Sequence, residues 1–380
     1  MPTQNSGDDA AAGKQPPGVD EKWQALASRG LAVLLFASLS VDLAVSQVGL
    51  AVQFLGIKLS APTWLLGMYG TVGAGVYAVG CFLAGRASDR LSRRIAALFI
   101  FLAGVVWVLL SVQKSPYALL ALVPFGSGCL AFFWPPVQAW IGDLVPDGKA
   151  LTRVLGTFNV LWTVGLMVGP VTCGYLWGAS QYAPFLTSFA LALLVAVGLL
   201  TVPTKSAAAA AEEAGDEGSL NRFDRRAEQY LPLAWLANFG TWYATGLSRT
   251  LFPKLGTEAG FSEVVIGWIL FAMLAGQLVA FVALRQATWW HFRRLPLMVA
   301  LLIGAAGAAG TALAHSPVGF SLALSGIGIA TGITYVASLF YSLQAPMDQR
   351  GKRTGIHEAI LGAGLSTGPL VGGLLGNAYG

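Results

Sequence analysis

The sequence predicts an all-α polytopic membrane protein, folded as two pseudo-repeated bundles of helices. Three observations carry this. Of 380 residues, 55% are hydrophobic and only 11% charged, with a mean hydropathy of +0.65. A soluble protein carries about 25% charged residues, so this chain has too few charges to cover a water-facing surface. Eleven apolar runs approach or exceed the roughly 20 residues a helix needs to cross a bilayer core. Finally, the chain repeats itself at an offset near 200 residues. A soluble enzyme, a disordered chain and a nucleic-acid binder are poor readings of such a composition.

Residues 1–27 are polar, rich in Pro and Gly and mixed in charge. They lack the apolar stretch of a cleaved signal peptide and are expected to form a disordered cytoplasmic tail. Six candidate spans follow, at about 29–55, 63–84, 95–113, 117–141, 154–177 and 182–202, forming a first bundle over 28–202. Residues 203–229 have no apolar period and read as a cytoplasmic linker. Five more spans, at about 230–252, 262–284, 295–314, 318–341 and 354–378, form a second bundle over 230–380.

Orientation follows from Lys and Arg, which concentrate on the cytoplasmic side. With the N-terminus inside, all of the 23 fall inside except Lys58, Lys114, Arg249 and Lys254. The basic residues are therefore topology determinants, and the expected setting is the cytoplasmic membrane. Cys81, Cys129 and Cys173 lie in apolar runs with neither metal nor disulfide spacing. They read as small buried side chains, and no metal or cofactor is expected.

The repeat can be read position by position. Gly67 meets Gly267, Arg93-Arg94 meet Arg293-Arg294, and Gly126-x-Gly128 meets Gly326-x-Gly328. Ser115-Pro116 meets Ser316-Pro317, and GLMVGPVTCGYL (Gly165 to Leu176) meets GLSTGPLVGGLL (Gly364 to Leu375). The same offset predicts a partner for the sixth span near 382–402, so a twelfth helix is expected beyond Gly380.

Between the second and third spans lies GRASDRLSRR, Gly85 to Arg94. It resembles the signature loop of the major facilitator superfamily. Gly85, Asp89, Arg90, Arg93 and Arg94 match, while Ala87 and Ser92 replace the usual Leu and Gly. The corresponding second loop, RQATWWHFRR, keeps the basic pair but has Trp289 where the Asp would stand. The resemblance covers residues 29 to 380. It implies two parallel six-helix halves around a central site, which open alternately to either side. It also implies that Asp89 contacts the inner end of span eleven when the inner gate is shut, and that Asp143 is the acidic partner of the loop arginines.

In span five, Gly156, Gly165, Gly169, Pro170 and Gly174 follow a pattern that the family associates with proton-coupled antiporters, with Cys173 in place of one Gly. Span eleven repeats it with Gly355, Gly364, Gly368, Pro369, Gly372 and Gly373. Presence in both halves reads equally well as packing, since small residues let helices approach closely.

Ionisable groups within a span are costly and are functional candidates by default. Asp42 lies about 20 Å along its helix from Arg29, at 1.5 Å per residue. No other carboxylate is so deep, and Asp42 is the proton-coupling candidate, with Ser38, Ser46 and Gln47 on its helix. Arg249 is expected to snorkel to the outer interface, the alternative being an anion-binding or gating role. His357 and Glu358, a turn above Arg353, suggest an ion pair on the cytoplasmic side.

Uncharged cavity candidates are Trp134, Gln138, Asn159 and Trp162 in the first half. In the second they are Asn238, Trp242, Tyr243, Gln277, Tyr335 and Ser338. Amides beside aromatic rings suit sugars or flat amphipathic compounds.

The reading is a secondary transporter of a small molecule, working as a monomer, proton-coupled and leaning to efflux of amphipathic compounds. The alternatives are proton-coupled uptake of a sugar or metabolite, and a transport-inactive scaffold or sensor in which Asp42 is packed away. A membrane enzyme lacks paired catalytic groups. Convergence of Asp42, Gln138 and Asn238 on one cavity would separate these readings.

Overall fold

The computed structural model describes residues 21–88, 92–145, 148–204, 226–285, 287–344 and 347–379. Among these residues the chain forms eleven α-helices and no strand. They are α1 (Glu21–Lys58), α2 (Thr63–Ser88), α3 (Ile95–Ser111), α4 (Pro116–Leu144), α5 (Gly148–Ala179) and α6 (Ala183–Leu200), then α7 (Arg226–Glu258), α8 (Glu263–Arg285), α9 (Leu295–Leu313), α10 (Pro317–Leu343) and α11 (Met347–Tyr379). In a lipid core every backbone N–H and C=O must be satisfied within its own segment, which dictates helices for runs of this composition.

Nine of the described helices are long and apolar enough to cross a membrane, and α3 is a further apolar helix of 17 residues. The exception is α7. Its Asn238, Thr241, Thr245 and Thr250 dilute the apolar run, but all four are buried. Thr241 Oγ1 lies 2.6 Å from Thr334 Oγ1 of α10, and Thr245 Oγ1 lies 2.8 Å from Thr331 Oγ1. Thr241 and Thr245 of α7 are therefore satisfied by matching threonines on α10 rather than by water.

The largest differences from the sequence expectation are helices that start early. α1 begins at Glu21, inside the expected tail, and α7 begins at Arg226, inside the expected linker. α5 and α11 also start six or seven residues early. The bilayer fixes the length of the apolar run, whereas helical hydrogen bonding continues past it into polar sequence. The rest of the tail and residues 205–225 of the linker lie outside the described residues.

The offset of 200 reappears in local geometry. α1 closes with Leu59 N–H donating to Leu55 O, Ser60 N–H to Ile57 O and Ala61 N–H to Gly56 O. α7 closes with Ala259 N–H to Leu255 O, Gly260 N–H to Thr257 O and Phe261 N–H to Gly256 O. Both turns place one residue in the left-handed region, Ser60 at φ 57° and Gly260 at φ 77°, the usual end of a helix. Ser115-Pro116 and Ser316-Pro317 open α4 and α10 at matching positions, with Ser before the helix and Pro in the first turn, though only Ser316 accepts a capping bond, from Gly319 N–H. Arg94 and Arg294 stand before α3 and α9.

In the first set α1 packs on α5 and α6, α3 on α4 and α6, and α2 on α4. In the second, α7 packs on α10 and α11, and α10 also on α8 and α9. The two sets meet chiefly through α2 against α11 and α5 against α8. These contacts lie towards one end of the molecule, called here the far end, away from the end that carries the start of α1 (the tail end). A Cβ on Gly67 of α2 would overlap the Pro369 carbonyl of α11, and one on Gly267 of α8 the Pro170 carbonyl of α5. Nearer the far end, a Cβ on Gly174 would stand 2.6 Å from Glu263 O, and Lys254 Nζ donates to Thr63 Oγ1 at 2.6 Å. Towards the tail end, among the described residues, no glycine approach between the two sets appears beyond Gly362 against Ala78. Among the described residues, the contacts that join the two sets thus gather at the far end.

Candidate functional site

The site begins on α1, where most polar side chains are structural. Ser38 Oγ donates to Phe158 O at 3.2 Å and Ser46 Oγ to Leu166 O at 2.8 Å, both on α5. Gln47 is 1% exposed. Its Nε2 contacts Pro184 O at 2.7 Å, Thr187 Oγ1 at 2.8 Å and Ser188 Oγ at 2.9 Å, and its Oε1 accepts from Thr172 Oγ1 at 2.7 Å. It ties α1 to α5 and α6. Asp42 takes no part in this. It sits deep among protein atoms yet keeps some accessible surface, as a residue on a cavity wall does.

The charge acting on Asp42 is Arg249 of α7. This corrects the snorkelling expectation. Arg249 lies on the helix face of Trp242 and Asn238, seven and eleven residues earlier, and that face turns into the bundle rather than to the interface. One side of it borders α10, through Thr245, and the other α11, through Gly246 against Leu365. No ion pair closes between Asp42 and Arg249. They face each other across the junction of the two sets of helices.

A second carboxylate enters the same interior. Glu358 shares a face of α11 with Gly362 and Leu365, which approach Ala78 of α2 and Gly246 of α7. Its charge acts on Tyr77 and Cys81 of α2 and on Tyr335 of α10. Its side chain is 63% accessible, so it faces open space between the sets. Tyr77 also lies within reach of the Asp42 charge. The expected pairing with Arg353 does not form: Arg353 Nη2 binds Glu228 Oε1 of α7 at 3.1 Å. His357 is wholly buried, with Nδ1 2.7 Å from Ser338 Oγ.

The uncharged candidates divide. Trp242 and Tyr335 meet ring to ring, with centroids 6.2 Å apart, and Tyr335 also contacts His357. Asn238 is 0% exposed and its amide has no partner. The α7–α10 register that pairs Thr241 with Thr334 places it opposite Ser338. Trp134 packs edge-on against Phe133 and Phe158 in the core. Gln138 and Asn159 are exposed, and Asn159 Oδ1 accepts from the half-buried Trp162 at 3.1 Å. Tyr243 packs its ring on Phe239 and its backbone on Gly364 and Gly368, and Gln277 is buried where α8 meets α10. The convergence of Asp42, Gln138 and Asn238 that would separate the readings does not occur among the described side chains. Asn238 is enclosed by the second set, Gln138 stands exposed on α4, and Asp42 converges with Arg249 and Tyr77 instead.

The glycine–proline pattern has a direct physical use. Cβ atoms on Gly165 and Gly169 would strike the Leu39 and Leu43 carbonyls of α1. Those on Gly364 and Gly368 would strike the Phe239 and Tyr243 carbonyls of α7. The motif lets α5 close on α1 and α11 on α7, and its proline carbonyls, at Pro170 and Pro369, receive Gly267 and Gly67 across the junction. At the tail end, Arg93 Nε donates to Asp143 Oδ2 at 3.0 Å. Asp89 and Arg90 lie outside the described residues, Gly85 is in the last turns of α2, and Arg94 is exposed at the start of α3. Tyr77, Cys81 and the inward turn of Glu358 escaped the sequence reading. The spacing of Glu358 to Gly362 was the available signal.

Comparison with known proteins places this geometry in context. A profile of the Major Facilitator Superfamily matches residues 28–343. Multidrug resistance protein 1 of Bacillus subtilis (strain 168) is 24% identical over 357 residues, covering 88% of this chain and 90% of that protein. Among solved structures, a bacterial homologue of the human lysosomal transporter Spinster, inward-facing and occupied, superposes with a TM-score of 0.75 at 16% identity, covering 93% of this chain and 82% of that one. The nucleoside transporter NupG gives 0.70 at 12% identity, covering 93% and 92%. The fold, the repeated glycine contacts across the junction and the match over most of the chain agree: the protein belongs to the major facilitator superfamily of membrane transporters, and is a transporter rather than an enzyme.

Proposed function

We propose that the protein is a proton-coupled secondary transporter that expels amphipathic compounds from the cell. In this reading the N-terminus lies in the cytoplasm and the tail end opens to the cytoplasmic side of the plasma membrane. The two helix sets rock about the central site as a monomer. The observation that carries the reading is the placement of Asp42 on α1 opposite Arg249 on α7, across the junction that must move. A proton on Asp42 cancels its attraction for Arg249, so protonation and the approach of α1 to α7 are tied. Interior accessibility of Asp42 also argues against an inert scaffold, in which that carboxyl would be packed away or turned to lipid. Efflux is favoured by the aromatic lining and by the drug-resistance relative, 24% identical.

The test uses proteoliposomes holding the full chain. A screen in whole cells, with and without a protonophore, first identifies a transported compound. Flux of that compound is then driven by a pH gradient in wild type and in Asp42→Asn. The variant is expected to lose gradient-driven flux at least about tenfold, an effect of about 1.4 kcal/mol, while still exchanging substrate downhill. Unchanged gradient-driven flux would remove Asp42 from the coupling.

A further inference from the structure

We infer that Glu358 selects the charge of the transported molecule, and that the site takes an organic cation with a flat apolar body. This deepens the transporter reading and rests on it. The argument is one of charge placement. Of the described carboxylates, Asp143 is held by Arg93, Glu228 by Arg353 and Glu258 by Lys254, at 3.0, 3.1 and 3.2 Å. Glu263 starts α8 at the far end, outside the central space. Asp42 faces Arg249, and those two charges offset each other. That leaves Glu358. Among the described residues no Lys or Arg lies within ion-pair distance of it, and the nearest titratable nitrogen is His357 Nε2, 3.9 Å away. The imidazole is committed through Nδ1 to Ser338 behind it.

Among the described residues, this interior therefore carries one negative charge with no Lys or Arg partner. Low-dielectric walls focus the field of such a charge and raise the local concentration of oppositely charged ligands. The neighbours suit a cation with an apolar body. Tyr77 is 36% exposed and Tyr335 half-buried, and both feel Glu358. Aromatic faces attract organic cations through their negative quadrupole. Tyr77 belongs to the first helix set, while Tyr335 and Glu358 belong to the second. A bound cation would thus touch both sets, as a ligand must if its binding is to bias their relative position.

The experiment measures equilibrium binding of tetraphenylphosphonium to the purified full chain in detergent, with tetraphenylborate, of the same shape and opposite charge, in parallel. Wild type should bind the cation and discriminate against the anion. Glu358→Gln should weaken cation binding at least about tenfold, the loss of one charge contact in a partly hydrated cleft. Glu358→Asp should retain more binding than Glu358→Gln. A melting curve close to wild type for both variants separates lost recognition from lost folding. Flux keeps the two readings apart: Glu358→Gln should lose cation binding whether or not Asp42→Asn loses proton-driven flux. Equal cation binding by wild type and Glu358→Gln, preference for the anion, or no binding of either ion by wild type would each overturn the assignment.

Discussion

The far end and the tail end are joined by different forces. At the far end, glycines let the helices meet at close range. Gly67 receives the Pro369 carbonyl, Gly267 receives the Pro170 carbonyl, and Gly70 leaves only 2.5 Å between a Cβ and Thr250 Oγ1. At the tail end, each described ion pair stays within its own helix set, Arg93 with Asp143 and Arg353 with Glu228. Glycine contacts gain dispersion energy over a fixed fit and tolerate no added volume. Ion pairs near water gain little individually and can exchange partners. The difference teaches where the molecule is shaped to fit and where it is free to part. A repeated sequence has produced two equivalent crossing points, one per diagonal, and the halves can separate there only as a unit.

Predictions follow from the largest effect to the smallest. Gly67→Leu should be the most damaging, because its side chain has no space against α11. A loss of about 1–3 kcal/mol is expected from overpacking, read as a lower melting temperature and near-complete loss of transport. Gly267→Leu should behave alike, and a tolerant Gly267→Leu would break the symmetry between the crossing points. Gln47→Leu comes next. It removes four hydrogen bonds inside the first set, at about 1–3 kcal/mol, while Thr172, Thr187 and Ser188 fall back on backbone carbonyls. Transport per folded molecule should survive, since Gln47 faces away from the junction. The smallest stability effect belongs to the tail end. Asp143→Asn removes a partly exposed ion pair worth below about 1 kcal/mol, so its melting curve should stay close to wild type while its transport rate changes. A drop in melting temperature as large as that of Gln47→Leu would mean that the tail end is also a fixed joint.

Much of this was legible in the sequence, for reasons that also explain the rest. The repeat was readable because glycines and prolines at crossing points are fixed by contact, and both copies kept them. Asp42 was readable because a carboxylate in an apolar run stands out whatever surrounds it. Which face of a span turns inward was not, because lipid and the protein core are both apolar and leave the same pattern. Arg249 was therefore assigned to the interface, and Glu358 to an ion pair with Arg353. The structure gives Arg353 to Glu228, a residue 125 positions away, and no spacing rule reaches so far. α7 lacked a strong apolar run because Thr331 and Thr334, in a later helix, satisfy its threonines. Trp134 looked like a cavity residue by type but is taken by Phe133 and Phe158, since aromatic residues serve packing and binding equally.

The central claim is that the two ends open in alternation and that the proton on Asp42 biases them. Paired spin labels test it most directly. One pair, Tyr182→Cys with Ala259→Cys, spans the far end, and another, Arg153→Cys with Leu343→Cys, spans the tail end, each in a background without the native cysteines. Distances are measured in lipid across a pH series, with and without Asp42→Asn. Acidification should lengthen the far-end distance and shorten the tail-end distance in the wild-type background, and Asp42→Asn should hold both near their acidic values. Distances that ignore pH, or that lengthen together at both ends, would contradict the account.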